Sequence, residues 1–118
     1  MKRIITLVAA LAVAATMFAV VAHGSSTRAT ATTVKVGAKE FKFTLSRKSA
    51  PHGKVTFKVT NKGHIKHDFK IAGKKTKMLG PGKGTSLTVT LKKGKKYTYI
   101  CTVPGHAAAG MKGTFKAT

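Results

Sequence analysis

From residue 34 to the C-terminus, apolar and polar positions alternate with a period of two. Phe41, Phe43 and Leu45 alternate with polar neighbours, as do Val55, Phe57 and Val59. Leu87, Val89 and Leu91 are interleaved with Ser86, Thr88 and Thr90. This period marks strands with one buried and one wet face. Residues 95–101 and 113–117 add further strands. Turn formers separate these segments at Pro51-His52-Gly53, Asn61-Lys62-Gly63, Gly80-Pro81-Gly82, Lys92-Lys93-Gly94 and Pro104-Gly105. No helical apolar stripe of useful length occurs past the first two dozen residues. Short strands with turn signals every 8–12 residues or so predict an all-β fold, a small β-sandwich over residues 34–118.

The start of the chain breaks the pattern. Lys2 and Arg3 precede an uncharged run, residues 4–22. A basic start followed by an apolar core reads as a secretory signal helix within residues 1–24, with small residues near Ala22 and Gly24 as cleavage points. Left uncleaved, the same run is just long enough to anchor the protein in a bilayer. Both readings make the protein exported, to the periplasm, the cell envelope or the outside. Residues 25–33, rich in Ser, Thr and Ala, predict a flexible linker.

Composition narrows the chemistry. The 118 residues hold one domain, and 23 Lys plus Arg face only two acids, Glu40 and Asp68. Paired-carboxylate mechanisms of the glycosidase or aspartic-protease kind are thereby excluded. Neither GxxxxGK[ST] nor GxGxxG occurs, which argues against nucleotide-dependent enzymes. The lysines fall on the polar sides of strands (Lys54, Lys58) and in turns (Lys74, Lys75, Lys77, Lys92, Lys93), so they form a solvated surface. Such a surface serves solubility, steers an acidic redox partner with on-rates that fall as salt rises, or adheres to an anionic membrane surface or envelope polymer. Nucleic acid fits poorly, because the aromatics are committed to strand cores or to one loop.

Cys101 is the single cysteine and has no internal disulfide partner. A lone thiol in an exported protein is an accident, an intermolecular link, or a residue kept for reactivity or metal affinity. Its neighbours discriminate. The run YTYICTVPGHAAAGMKG places Cys101, His106 and Met111 five residues apart, and NKGHIKHDFKI upstream offers His64 and His67. One thiolate, two imidazoles and a thioether form the set that suits copper, with two His and a Cys in a trigonal plane and a weak axial Met. Pro104-Gly105 forces a turn that can return His106 toward the sulfur, and the small residues 107–110 let the chain curl round to Met111. His67 shares strand parity with Phe69 and Ile71, whereas His64 follows a turn, so His67 is the better upstream ligand. Taken singly, Cys101 could be an inert core thiol, Met111 plain core and His106 a loop residue. Their joint occurrence is what points to a metal. Zinc is the main rival, but Met is a poor zinc ligand.

These motifs resemble those of the cupredoxins, the single-domain blue copper proteins of the plastocyanin and azurin type. The Cys-x4-His-x4-Met spacing, with PGH inside and GMKG at its end, is most similar to the rusticyanin- and auracyanin-like group. EFKF, PHGKVTFKVTNKG, HDF and LTVTLKKGKKYTYIC extend the likeness from about Val34 to Thr118. The resemblance implies a Greek-key sandwich and one type 1 copper ion cycling between Cu(I) and Cu(II). It implies His67, Cys101, His106 and Met111 as ligands. It also implies a monomeric electron carrier, not an enzyme, that shuttles single electrons between redox partner proteins. His106 would be the electron's entry and exit point, within an apolar docking patch of Pro104, Gly105 and residues 107–109, with Met78 and Leu79 at its edge. The alternatives are a copper-delivery protein of the envelope using the same four ligands, and a basic interaction module with an incidental metal site. In many cupredoxins an Asn after the first His ties the ligand loops together. Asp68 stands there, either accepting hydrogen bonds from Thr102 or backbone N–H groups, or lying as a surface acid. Charge is the other departure: familiar members are acidic or near neutral, and this chain carries about +19 once Lys2 and Arg3 are removed.

Overall fold

The computed structural model describes residues 31–118, so the expected signal helix and most of the expected linker lie outside the described residues. Nine strands are formed: β1 (Thr32–Lys39), β2 (Lys42–Leu45), β3 (Ser49–Ala50), β4 (Gly53–Asn61), β5 (Lys70–Ile71), β6 (Lys74–Lys75), β7 (Gly84–Leu91), β8 (Lys96–Ile100) and β9 (Lys112–Ala117). Among the described residues there is no helix. β1 begins two residues inside the stretch read as linker, because Thr32 and Thr33 pair in parallel with Val55 and Thr56 of β4.

The strands make two sheets, one in the order β2-β1-β4-β7 and one in the order β3-β9-β8-β5-β6. Strand alternation determines what lies between them. Val34, Val36 and Ala38 of β1, Val55, Phe57 and Val59 of β4, and Val89 and Leu91 of β7 all turn inward and are buried. The opposite sheet supplies Phe69, Ile71, Tyr99 and Phe115. Phe57 packs against Phe69 and Phe115 with centroids 5.2 Å apart in each case, and Phe43 meets Phe69 edge-on at 5.3 Å. Phe57–Phe115 and Phe43–Phe69 are edge-to-face, and such pairs add about 0.5–1.5 kcal/mol beyond the area they bury. Phe69, two residues after His67, thus anchors that segment in the core.

Period-two parity fails for Phe41. It lies in the turn between β1 and β2 and is 42% exposed, while Phe43 is buried. The alternation holds only inside a strand, and β2 starts at Lys42.

Candidate metal centre

The candidate site forms at one end of the sandwich, where two loops meet. The first carries His67. Its N–H donates to Leu79 O at 3.1 Å and its carbonyl accepts from the Leu79 N–H at 2.8 Å, a two-bond bridge to the loop before β7. Buried Asn61, at the end of β4, ties this region together. Its Nδ2 donates to Ile65 O and Leu79 O, both at 2.8 Å, and its Oδ1 accepts from the Gly63 N–H at 2.9 Å.

The second loop runs from Cys101 to Met111 and closes on itself. The Cys101 N–H donates to Met111 O, the Met111 N–H to His106 O, and the His106 N–H to Val103 O, at 3.0, 3.0 and 3.1 Å. Gly105 and Gly110 take φ of +82° and +124°, in the region that L side chains rarely adopt, and so let this loop turn as tightly as it does.

Asp68 joins the two loops. It is buried, Oδ1 accepts the Thr102 N–H at 2.6 Å, and Oδ2 accepts the Thr102 hydroxyl. Of the two readings open from sequence, the hydrogen-bond acceptor is the one observed.

His67, Cys101 and His106 converge. Their donor atoms all lie within 4.8 Å of one another, and all three residues are buried. His67 Nδ1 stands 3.1 Å from His106 Nδ1, and Cys101 Sγ is 3.5 Å from His106 Nδ1 and 3.9 Å from His67 Nδ1. The point equidistant from three atoms so spaced lies about 2 Å from each, close to the length of a metal–imidazole bond and slightly short of a metal–thiolate bond. The donor set and its spacing fit a bound metal ion. Met111 is fully buried at the end of the same loop. His64 is exposed, as expected of a loop residue, and His52 Nδ1 donates to Thr118 O at 2.9 Å, apart from the cluster.

Glu40, like Asn61, has a role here that escapes sequence reading. Glu40 Oε1 lies 2.8 Å from His67 Nε2 and also accepts the N–H groups of His64 and Ile65 at 2.9 and 3.2 Å. With Nε2–H committed to the carboxylate, Nδ1 keeps its lone pair for the cluster, the outer-shell arrangement typical of metal-binding histidines. Chiefly through the His67 hydrogen bond, the Glu40 carboxyl is held down at about 2. A side chain at Gly63 would collide with this carboxylate, which accounts for glycine there. No local motif marks Glu40, since its partners lie 24 to 27 residues away.

Burial pushes the Cys101 thiol up, against the backbone N–H groups of Asp68 and Val103, which favour the thiolate. The free thiol is therefore protonated at neutral pH, and a metal ion must displace that proton.

Around the centre, Pro104, Gly105, Ala108 and Ala109 are exposed and Ala107 half-buried. Met78 is 47% exposed, but Leu79 is buried, because its backbone bridge to His67 turns its side chain into the core. Phe41 replaces it in the patch, edge-on to the His106 ring at 5.1 Å. The exposed large apolar residues among those described, Phe41, Ile65 and Met78, all neighbour residues that touch the site.

The chain is similar to known proteins. The family model described as copper binding proteins of the plastocyanin/azurin family matches residues 16–118. Auracyanin-B of Chloroflexus aurantiacus is 49% identical over 43 residues, a segment spanning 36% of this chain and only 18% of that relative. Among solved structures, a dithionite-reduced auracyanin from Roseiflexus castenholzii superposes with a TM-score of 0.65 at 23% identity, covering 75% of this chain and 98% of that one. Auracyanin B gives a TM-score of 0.63 at 25% identity over 75% and 89% of the two chains. Auracyanin A, a blue copper protein of Chloroflexus aurantiacus, gives 0.61 at 20% identity over 73% and 98%. The fold, the convergent His67, Cys101 and His106, and the family match over most of the chain lead to one identification: this protein belongs to the plastocyanin/azurin family of copper-binding proteins.

Proposed function

We propose that the protein is an exported electron carrier that holds one copper ion through His67, Cys101, His106 and, as weak axial ligand, Met111. Bound copper supplies a one-electron couple between Cu(I) and Cu(II). The protein's part is to hold the donors still. The two-bond bridge at Leu79, the Asp68–Thr102 pair and the self-closed 101–111 loop fix the ligand segments through hydrogen bonds that do not involve the metal. A site with little freedom to rearrange passes an electron at low reorganisation cost.

The observation that carries this reading is the graded burial of the ligands. His106 is 8% exposed, while His67 and Met111 are at 0% and Cys101 at 1%. Only one ligand edge approaches solvent, and apolar Phe41, Pro104 and Ala108 surround it. Such a surface suits brief contact with a redox partner, with no substrate transformed. The partner would carry an acidic rim to meet the lysines, and the carrier would work as a monomer in the periplasm or outside the cell, free or held at an anionic membrane surface.

The test is a visible absorption spectrum of the purified protein titrated with Cu(II). An intense band that saturates at one copper per chain, bleaches with ascorbate and returns with an oxidant is expected. Cys101→Ser should remove the band and leave the β fold. Copper binding without the band would exclude the thiolate ligand and favour copper delivery instead.

A further inference from the structure

The outer face of the β2-β1-β4-β7 sheet has a composition of its own. Its registers align Lys35 with Lys58 and Ser86, Gly37 with Thr44, Thr60 and Gly84, and Lys39 with Lys42. Lys54, Thr56 and Thr88 continue the pattern at one end. No acid and no aromatic side chain points outward from these strands.

The row through Gly37 and Gly84 is the low one. Two glycines and two threonines cross the sheet there, and lysines stand on both sides, Lys35 and Lys58 on one bank and Lys39 and Lys62 on the other. The result is a trough of about 510 Å³. It is lined by residues of β1, β2 and β4 and their ends, and so crosses three strands, about 10 Å at about 4.8 Å per strand. The Lys62 side chain already reaches over its floor. Its Cδ, Cε and Nζ lie 3.4, 3.6 and 3.8 Å from where a Cβ on Gly37 would stand. No protein acid draws it there, since Glu40 serves His67 and Asp68 serves Thr102.

We propose that this trough binds a linear polyanion with phosphate groups repeated along a flexible chain. Two lysine banks facing a row of small residues match a charged strand laid between them, and the Thr44 and Thr60 hydroxyls can donate from the floor. A flat bilayer would rest on the banks and leave the floor unfilled. The apolar side chains lining it are buried Val36 and half-buried Leu45, so an acidic protein would find no exposed aromatic or large apolar anchor of the kind from which protein interfaces draw most of their affinity. Nucleic acid bases would find no aromatic platform to stack on. None of the residues lining the trough is a candidate ligand or one of the residues around His106. The proposal is independent of the copper reading.

The experiment measures inorganic polyphosphate binding to the purified, copper-loaded protein across a salt series. Lys35→Gln with Lys58→Gln should weaken binding about tenfold and flatten the slope of log affinity against log salt by about two. Gly37→Thr keeps every charge and fills the trough, and should also weaken binding severalfold. A Cβ at Gly37 meets only the flexible end of Lys62, so the fold tolerates it. Lys74→Gln with Lys75→Gln, on the far edge of the other sheet, removes the same charge and should change affinity less than twofold. An unchanged far-ultraviolet circular dichroism spectrum in each variant verifies folding. Equal losses in both lysine pairs, or full binding by Gly37→Thr, would reduce the effect to net charge and overturn the proposal. So would orthophosphate that competes as well as polyphosphate at equal phosphate. Tight binding to phosphatidylcholine/phosphatidylglycerol vesicles without polyphosphate binding would replace it with a membrane face.

Discussion

Asn61→Ala tests how the His67 loop is held. The substitution removes three side-chain hydrogen bonds, to Gly63 N–H, Ile65 O and Leu79 O, and spares the backbone bonds of residue 61 to Gly82 and Lys83. The losses are unequal. Leu79 O keeps the N–H of His67, and Ile65 is partly exposed, so each of these carbonyls costs about 0.5–1.5 kcal/mol. The Gly63 N–H is buried with no other acceptor and costs about 1–3 kcal/mol. The sum centres near 3–4 kcal/mol, a little less where water enters the space left by the amide. For a domain of this size that lowers Tm by about 15–20 °C. Guanidinium and thermal unfolding of the copper-free protein measure it, and Asn61→Asp is the control. Aspartate keeps an acceptor for Gly63 but turns a carboxylate toward the Ile65 and Leu79 carbonyls, so it should be no more stable than alanine. A loss under about 1 kcal/mol for Ala, or an Asp variant as stable as wild type, would show that the amide does not hold the loop.

Other consequences can be checked with simpler measurements. Glu40 titrates near 2 when folded and near 4.5 as a free side chain, so its stabilisation is complete above the higher value and fades as pH falls toward the lower. The Tm of copper-free wild type should therefore drop between pH 4.5 and 2 more steeply than that of Glu40→Gln, and parallel curves would contradict the pairing. The same variant should bind copper about 10–100-fold more weakly, read by competition with a chelator. Because burial raises the Cys101 thiol, Cu(II) binding at pH 7 should release a proton and tighten as pH rises, and isothermal titration in buffers of different ionisation enthalpy counts that proton. Met111→Leu should keep the intense band and raise the reduction potential measured by voltammetry, whereas loss of copper would show that Met111 does more than weak axial ligation.

Much of the fold was legible because a strand writes its two faces in alternation. Val55-Phe57-Val59 and Leu87-Val89-Leu91 needed only the period to be placed. The downstream candidates share one self-closed loop, so sequence spacing carries their proximity. His67 came from parity with Phe69 and Ile71. Parity stops at strand ends, and Phe41, one residue before β2, was misread as core for that reason. Leu79 was misread as surface, since nothing local reveals its bridge to His67. Glu40 and Asn61 were illegible in a different sense. Their roles arise only when β1 and β4 pair in parallel and bring both strand ends beside the 62–67 loop.

The distribution of charge ties these readings together. A chain with 23 basic residues has two carboxylates, and both end on the loops that carry the candidate ligands, one on His67 and one on Thr102. Neither neutralises a lysine. Among the described residues the Glu40 carboxylate meets the His67 ring and not a lysine, which leaves the lysines unpaired by protein acids. Like charges packed on one sheet face repel, and the fold bears that cost without internal compensation. A polyanion in the trough would remove the repulsion as it binds. Polyphosphate should then raise the Tm of the protein, with a smaller gain for Gly37→Thr at the same net charge, where chloride at equal ionic strength should act alike on both.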